Sequence, residues 1–306
     1  MAGHIAVLGV FVADTAYRAD RAPNIGETIL GNAFALGPGG KGSNQAVAAA
    51  RAGGTTHMIT RLGRDTFADL AFETWKDAGV VPAITQHDEA TGAAYIFIEE
   101  ATGNNAIIIC PGVAAGISPD DIDAQANLIS SASVFITQLE QPLEAAMRGL
   151  QVAKAGGAIT VLNPAPAADL PRDIYPLCDV MTPNESEAMG ITGIKVTDLS
   201  SAEKAARAMM ALGIGTGIIT LGENGVLLVD QDGAHHQPVI NAGPVVETTG
   251  AGDAFNGGFA VALSEGMKMR DAVRFGCATA GISVTRPGTA PSMPTRAEIN
   301  ALLASL

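Results

Sequence analysis

The chain alternates between two kinds of apolar pattern. Short unbroken runs of four to eight residues read as buried strands, and longer runs with apolar positions three and four apart read as helices. His4–Phe11 is the first such strand. Residues Ala13–Gly31 mix polar and turn-forming types and predict short strands and turns, and Gly37–Gly42 predicts a glycine loop. An alanine-rich helix follows over Ser43–Ala52, stopped by Gly53–Gly54, then a strand over Thr56–Arg61 and a helix over Thr66–Ala78, stopped by Gly79.

Ala93–Glu99 and Asn105–Cys110 flank the turn chemistry of Ala101–Asn104 and predict a hairpin outside the main sheet, joined with Ala13–Gly31 in a small β layer. From Pro119 the alternation is regular. Helices are predicted over Asp120–Ser131, Leu143–Ala155, Glu185–Met189 and Ala202–Leu212. Strands are predicted over Val134–Thr137, Ala158–Leu162, Val180–Thr182, Gly217–Leu221 and Gly225–Val229. Ala254–Ser264, Arg270–Thr285 and Thr295–Ala304 complete the helices. Strand–helix alternation of this kind defines an α/β fold with a central, mostly parallel sheet, whose ligands sit beyond the carboxyl ends of its strands.

Composition fits that reading and removes some functions. With 306 residues and 47% hydrophobic content the chain can bury a large core. A net charge of −13 without any Lys/Arg run argues against nucleic acid as a partner. Cys110, Cys178 and Cys277 are widely separated, with no zinc spacing and no CxxC, which fits a reducing compartment. The start Met1–Ala2–Gly3–His4 has no basic leader, and no apolar run reaches membrane-spanning length, so a cytoplasmic protein without membrane association is expected. The sequon at Asn184–Ser186 is then coincidental, and His235 and His236 read as surface residues.

Glu247–Gly258 carries the strongest candidate chemistry. Three small residues, Gly250, Ala251 and Gly252, precede Asp253 at a loop-to-helix junction, where unpaired backbone N–H groups suit an anion. The plainer alternative is a glycine turn with Asp253 as helix cap. Gly37–Gly42 matches GxGxxG by letter, but Pro38 and the lack of a closing acidic residue weaken a dinucleotide reading, and Gly42 after Lys41 breaks the P-loop pattern. What remains is a cramped turn with Lys41 and Asn44, suited to a polyol, or simply a tight turn with a solvated lysine.

Asn184 and Glu187 share one helical turn, as a capping box or as an amide and a carboxylate for phosphate and Mg²⁺. Thr220–Gly225 reads as a hairpin turn that could line a nucleotide pocket. Asp14, Lys41, Glu140, Asn163, Asn184, Glu187 and Asp253 all fall just past predicted strands, which in a parallel sheet gathers them at one rim.

In these motifs the chain resembles the PfkB (ribokinase) family of carbohydrate kinases. The resemblance rests on two signatures, Gly37–Gln45 with its Gly39–Gly42 core and Thr249–Gly258 with its Gly250–Asp253 core, and extends over nearly the whole chain through Gly26–Thr28, Gln138–Glu140, Asn163–Pro166, Thr182–Glu185 and Thr285–Gly288. It implies a single ribokinase-like unit over residues 1–306, with a large Rossmann-like αβα domain and a small β-sheet lid built from about residues 12–33 and 91–110.

The resemblance also implies ATP-dependent phosphorylation of a sugar hydroxyl. Asp253 would be the base, and Gly250, Ala251 and Gly252 the anion hole. Asp14, Gly40, Lys41, Asn44 and Glu140 would hold the sugar. Asn184 and Glu187 would serve phosphate and Mg²⁺, and Thr220, Gly222, Glu223, Asn224 and Gly225, with Gly252, the nucleotide. A K⁺ site would map to Glu247, Thr249, Ser283, Arg286, Gly288 and Ser292, and a homodimer would form through the lid. Two positions depart from the family pattern: Val12 stands where Asn is usual, two residues before Asp14, and Glu247 where Asp is usual. D-Ribose is the expected acceptor; another sugar, a nucleoside, or a sensor without chemistry are the alternatives.

Overall fold

The computed structural model describes residues 3–306, so Met1 and Ala2 of the N-terminal segment lie outside the description. In chain order the elements are β1 (Ile5–Leu8), β2 (Val12–Ala19), β3 (Ala33–Gly39), α1 (Lys41–Arg51), β4 (Thr56–Leu62), α2 (Thr66–Ala78), β5 (Val81–Gln86), β6 (Thr91–Glu99) and β7 (Asn105–Gly112). There follow α3 (Pro119–Ala124), α4 (Ala126–Ser130), β8 (Val134–Thr137), α5 (Leu143–Gly156), β9 (Ile159–Leu162), β10 (Val180–Met181), α6 (Glu185–Thr192), α7 (Leu199–Leu212), β11 (Thr216–Thr220), β12 (Val226–Asp230) and β13 (Gly233–Gln237). Helices α8 (Ala251–Ser264), α9 (Met269–Ser283) and α10 (Arg296–Ala304) close the chain.

Nine strands form one sheet in the order β13-β12-β11-β10-β9-β8-β1-β4-β5, parallel from β11 to β5 and antiparallel at the β11–β12–β13 edge. In β1, Ile5 and Val7 enter one core with α1, α2, α8, α9 and α10, while Ala6 and Leu8 enter a second core with α3–α7. That is the period of two expected of a strand, with both faces apolar, which is why the sequence shows an unbroken run.

The remaining strands form a separate sheet, β3-β2-β6-β7, in which β2 pairs with β6 in parallel. Val12 pairs with Gly39, the last residue of β3, and Gly40 follows it at φ +88°. A Cβ there would stand 2.6 Å from the Val10 carbonyl, so the turn from β3 into α1 can lie this close to β2 only with glycine.

Several expectations need correction. Residues Gly37–Gly39, expected in a loop, end strand β3. The edge strands β3, β5 and β13 lack a clean apolar run, since β3 and β5 are largely exposed and β13 is only half-buried. His235 and His236 belong to β13 and are half-buried, and His236 Nε2 lies 2.7 Å from the Asn224 carbonyl. The helix expected over Asp120–Ser131 is split in two at Gln125. Helices α1 and α8 start two and three residues earlier than expected, since both begin after a positive-φ glycine with no side-chain cap to announce them.

Candidate active site

Helix α8 starts at Gly250, whose φ of +81° turns the chain into the helix. The Ala251 N–H donates to the Thr248 carbonyl at 3.1 Å, so of the three groups expected to face an anion this one is held within the turn. The N–H groups of Gly250, Gly252 and Asp253 meet no acceptor among the described residues. A Cβ at residue 252 would touch nothing within 4 Å, which leaves open space in front of these donors. A helix N-terminus with free N–H groups and no side chain in front is chemically suited to a phosphate.

Asp253 lies in the first turn of α8 and is almost fully buried. Its two oxygens accept from two amides of α1: Oδ2 from Asn44 Nδ2 at 3.1 Å and Oδ1 from Gln45 Nε2 at 3.0 Å. Burial pushes its pKa up; the positive charge of Lys41 and the two amides oppose that. A desolvated carboxylate beside a lysine and an anion site is arranged for proton abstraction rather than for capping a helix. Among the described residues the Asp253 oxygens accept only from the Asn44 and Gln45 amides and from no N–H of the α8 start, against the plainer alternative of a helix cap.

Behind this carboxylate runs a buried amide network. Gln45 Nε2 also donates to Asn163 Oδ1 at 3.1 Å, and Gln138 Nε2 donates to Gln45 Oε1 at 2.5 Å. Asn163 Nδ2 donates to the Thr182 carbonyl at 3.0 Å, Thr182 Oγ1 to Asn256 Oδ1 at 2.7 Å, and Asn256 Nδ2 to the Gly252 carbonyl at 2.9 Å. Gln45 and Asn256 fall inside the two signatures without a role of their own in the sequence, and only the folded chain shows them facing the site.

On the small-sheet side, Glu140 reaches across from the end of β8 and accepts the Lys41 N–H at 2.7 Å. It thereby caps α1, which has no cap of its own. Burial raises Glu140 to about 7, against the Lys41 N–H and ammonium, with the charges of Asp253 and Asp14 adding to the rise. Asp14 is raised to about 6 by burial. It is the third residue of β2 and pairs with Gly37 of β3; it does not follow β1 as expected. Of the seven rim residues, Glu140, Asn163, Asn184 and Glu187 do follow strands of the large sheet, whereas Asp14 and Lys41 arrive from the small one and Asp253 from a loop. Asn44 Oδ1, buried, has no hydrogen-bond partner among the described residues and is an acceptor suited to a hydroxyl.

A cavity of about 780 Å³ opens on the other side of Asp253. Lys41, Asn184, Glu187, Thr220, Gly222, Glu223 and Gly225 line it, together with Gly250–Asp253. Asn224 does not; its carbonyl is turned toward His236. Asn184 and Glu187 form a reciprocal capping box, each bond 2.9 Å, so the structural alternative for this pair is real. It uses one Glu187 oxygen; the other has no donor among the described residues, and burial raises this carboxylate against the pull of the Asn184 N–H. An apolar wall of Val239, Ile240, Val245, Cys277, Ala280 and Val284 faces them, drawn from separate segments and not foreseen in sequence.

At the expected cation position several side chains have partners within the protein. Glu247 Oε2 accepts the Gly288 N–H at 2.8 Å, and Arg286 pairs with Glu298 at 2.5 Å. The Ser283 and Ser292 hydroxyls donate to the Ala280 and Thr289 carbonyls. No group of three His, Cys, Asp or Glu suited to a metal exists among the described residues.

A parallel sheet whose rim joins a phosphate-type helix N-terminus, a buried carboxylate and a polar pocket for hydroxyls defines a phosphotransferase acting on an alcohol. The chain belongs to the pfkB family of carbohydrate kinases: residues 3–296 match the family's model. It is 38% identical to a ribokinase of Haemophilus influenzae over 96% of both chains, and 35% identical to a deoxyribokinase of Salmonella typhi over 98% of both. In fold it is similar to an Arabidopsis thaliana ribokinase solved with ribose and ATP, with a TM-score of 0.93, 31% identity and 99% of both chains covered. It is also similar to a Thermotoga maritima ribokinase, with a TM-score of 0.89, 37% identity and the same coverage.

Proposed function

We propose that the protein transfers the γ-phosphoryl group of ATP to the primary hydroxyl of D-ribose, giving D-ribose 5-phosphate and ADP. The observation that carries this reading is the position of Asp253. Its buried carboxylate stands between free N–H groups at the start of α8 and the polar cluster of Asp14, Asn44, Glu140 and Lys41. A ribokinase relative at 38% identity, and the fold shared with a ribokinase solved with ribose and ATP, support the choice of sugar and of phosphoryl donor.

Asp14, Asn44 and Glu140 accept from the sugar hydroxyls, while Gly40 leaves room for the turn and Lys41 supplies positive charge. Asp253 takes the proton of the attacking hydroxyl. The N–H groups at Gly250, Gly252 and Asp253 stabilise the charge that develops on the transferred group. Thr220, Gly222, Glu223 and Gly225 border the nucleotide against the apolar wall.

The free Glu187 oxygen suits one Mg²⁺ held with Asn184 and intervening water, an ion that neutralises phosphate charge. A K⁺ ion would rest on carbonyl oxygens of the Glu247–Thr249 and Arg286–Ser292 segments, with Ser283 behind them. We place the reaction in the cytoplasm, where the free thiols of Cys110, Cys178 and Cys277 stay reduced. No helix among the described residues is long and apolar enough to cross a membrane, and the negative net charge argues against nucleic acid as a partner.

A homodimer through the small sheet completes the reading. Tyr17, Phe34, Leu36, Tyr95 and Ile108 share one face of it by register, and all are exposed. Tyr17 packs against Phe34 and Tyr95 at 5.0 and 5.5 Å between ring centroids. An apolar sheet face of this kind needs cover, and a second copy supplies a matching one.

The test is a panel of acceptors, including ribose, 2-deoxyribose, hexoses and nucleosides, scored by kcat/KM with Mg-ATP, with and without K⁺. Ribose is expected to lead, and Asp253→Ala to lose turnover by at least about 10²-fold with ATP binding retained. A nucleoside or hexose leading the panel would overturn the substrate, and near-normal turnover by Asp253→Ala would overturn the base.

A further inference from the structure

Gln45 is fully buried, and a buried amide must place its donors and its acceptor. Its orientation follows by elimination. An ionised carboxylate only accepts, so the group facing Asp253 Oδ1 is the NH₂ of Gln45, and the same nitrogen donates to Asn163 Oδ1. Asn163 is itself oriented, because its Nδ2 donates to the Thr182 carbonyl. Gln45 Oε1 must then face Gln138, which donates to it.

That donation turns the Gln138 carbonyl away, toward Gly9, where Oε1 has no hydrogen-bond partner among the described residues. A Cβ at residue 9 would stand 2.4 Å from that oxygen. The chain of amides therefore has one polarity throughout and ends in an unpaired buried acceptor. An unpaired acceptor is destabilising. The arrangement has a different effect: it holds the Asp253 carboxylate from behind, within a fixed frame.

We propose that Gln45 is a positioning residue for phosphoryl transfer: its amide, locked by Gln138 and Asn163, fixes the plane of the Asp253 carboxylate that receives the proton of the sugar hydroxyl. The inference rests on the reading of Asp253 as base. Asn44 holds the second oxygen, so each oxygen carries one amide donor and keeps a lone pair for the hydroxyl. The charged groups around the carboxylate would otherwise decide its rotation. These are Lys41 from α1, Glu140 from the end of β8 and Glu187 from α6, with Asp14 of β2 beyond Glu140. A rotated carboxylate still accepts a proton, but from a hydroxyl no longer aligned with the phosphoryl group.

The test compares Gln45→Met, which keeps length and loses both donors, with Gln45→Glu, which sets a second carboxylate against the first. Asp253→Asn is the reference. The readouts are kcat across pH, KM for sugar and ATP, and melting temperature. Gln45→Met is expected to lower kcat by about 10–100-fold with both KM values within about threefold, and to move the acidic limb of the kcat profile to higher pH. Gln45→Glu should move that limb further the same way.

A Gln45→Met protein with wild-type kcat and an unmoved limb, beside an inactive Asp253→Asn, would overturn the positioning role and leave the base standing. Activity in Asp253→Asn would instead overturn the base. If Gln45→Met does not fold, Gln138→Met removes only the lock on Gln45 and should show the same split between kcat and KM. Its absence there would overturn the proposal equally.

Discussion

Gly257 of α8 lies directly against the backbone of α1 at Gln45: a Cβ on residue 257 would stand 2.7 Å from the Gln45 carbonyl and 2.4 Å from the Ala48 Cβ. One helical turn earlier, the same face of α8 carries Asp253, and the close approach is what lets the Asn44 and Gln45 amides reach it. Gly257→Ala therefore acts through space, since a mid-helix alanine is otherwise favourable. Overpacking at such a contact costs about 1–3 kcal/mol. We expect a lower denaturation midpoint together with a fall in kcat, because α8 must move away from α1. Wild-type turnover in a destabilised protein would show that the helix contact does not set the base.

Glu140 and Asp14 give the sugar side its own pH response. Burial lifts them to about 7 and about 6, above the ordinary 4.5 and 3.8. The unfolded chain therefore binds fewer protons than the folded one between those limits. Stability of the ligand-free protein is greatest below the ordinary values and falls as pH rises through about 6 to 7. Sugar binding runs the opposite way, since ionised carboxylates accept from hydroxyls at both oxygens. The KM for sugar should rise as pH drops below about 7, by up to about tenfold per pH unit for each proton that must leave. Sugar affinity by titration calorimetry and the melting temperature of the ligand-free protein, each at several pH values, check the two signs, and a flat affinity profile would remove Asp14 and Glu140 from the sugar site.

Glu187 carries two assignments that one substitution separates. Its Oε2 accepts the Asn184 N–H in the capping box. Gln at this position preserves an acceptor for the cap while deleting the charge. Glu187→Gln should thus keep stability within about 0.5 kcal/mol and raise the Mg²⁺ concentration needed for half-maximal rate. Glu187→Ala should lose the cap as well, at about 1 kcal/mol. If Glu187→Gln shows an unchanged Mg²⁺ requirement, the capping role is the whole role.

The sequence made the large sheet legible where burial on both faces leaves an unbroken apolar run, as in Ile5–Leu8. It failed where one face meets solvent, as in β3, whose Ala33–Gly39 is mostly exposed. The two signatures located Asp253 and Lys41 because glycine clusters survive as local features. Asn163 was legible as a polar residue at the end of a strand, but the contacts by which Gln45, Asn163 and Asn256 act span 74 to 208 residues in sequence, which local patterns do not encode. Reading Asp14 as the end of β1 failed for a related reason: β1 and β2 are separated by only three residues, which pass between two sheets.

The exposed face of the small sheet leads to an assembly prediction. Ile108 is 63% exposed at the face that also bears Tyr95, with which it pairs. An Asp there leaves the fold of one chain untouched but places a charge in any interface formed by this face. Ile108→Asp should shift a dimer to monomer in sedimentation at micromolar concentration. A dimer of unchanged affinity would mean that another surface joins the copies.

Val12 is the remaining handle on the acceptor. It lies two residues before Asp14 on β2, so both side chains project on the same side of the small sheet, and only 6% of Val12 is exposed. An Asn there adds a donor and an acceptor beside Asp14, at the cost of a buried polar group in the sugar-free protein, about 1–3 kcal/mol. Bound ribose can satisfy that amide, so it should restore part of the loss. Val12→Asn is therefore expected to lower the KM for ribose, to melt earlier when free, and to show a larger ribose-induced rise in melting temperature than the parent. 2-Deoxyribose should reproduce the rise only if the amide meets a hydroxyl other than O2. An unchanged KM with an equal thermal shift would place the Val12 side of the strand out of reach of the sugar, and the selection among pentoses would then fall to Asp14, Asn44 and Glu140 alone.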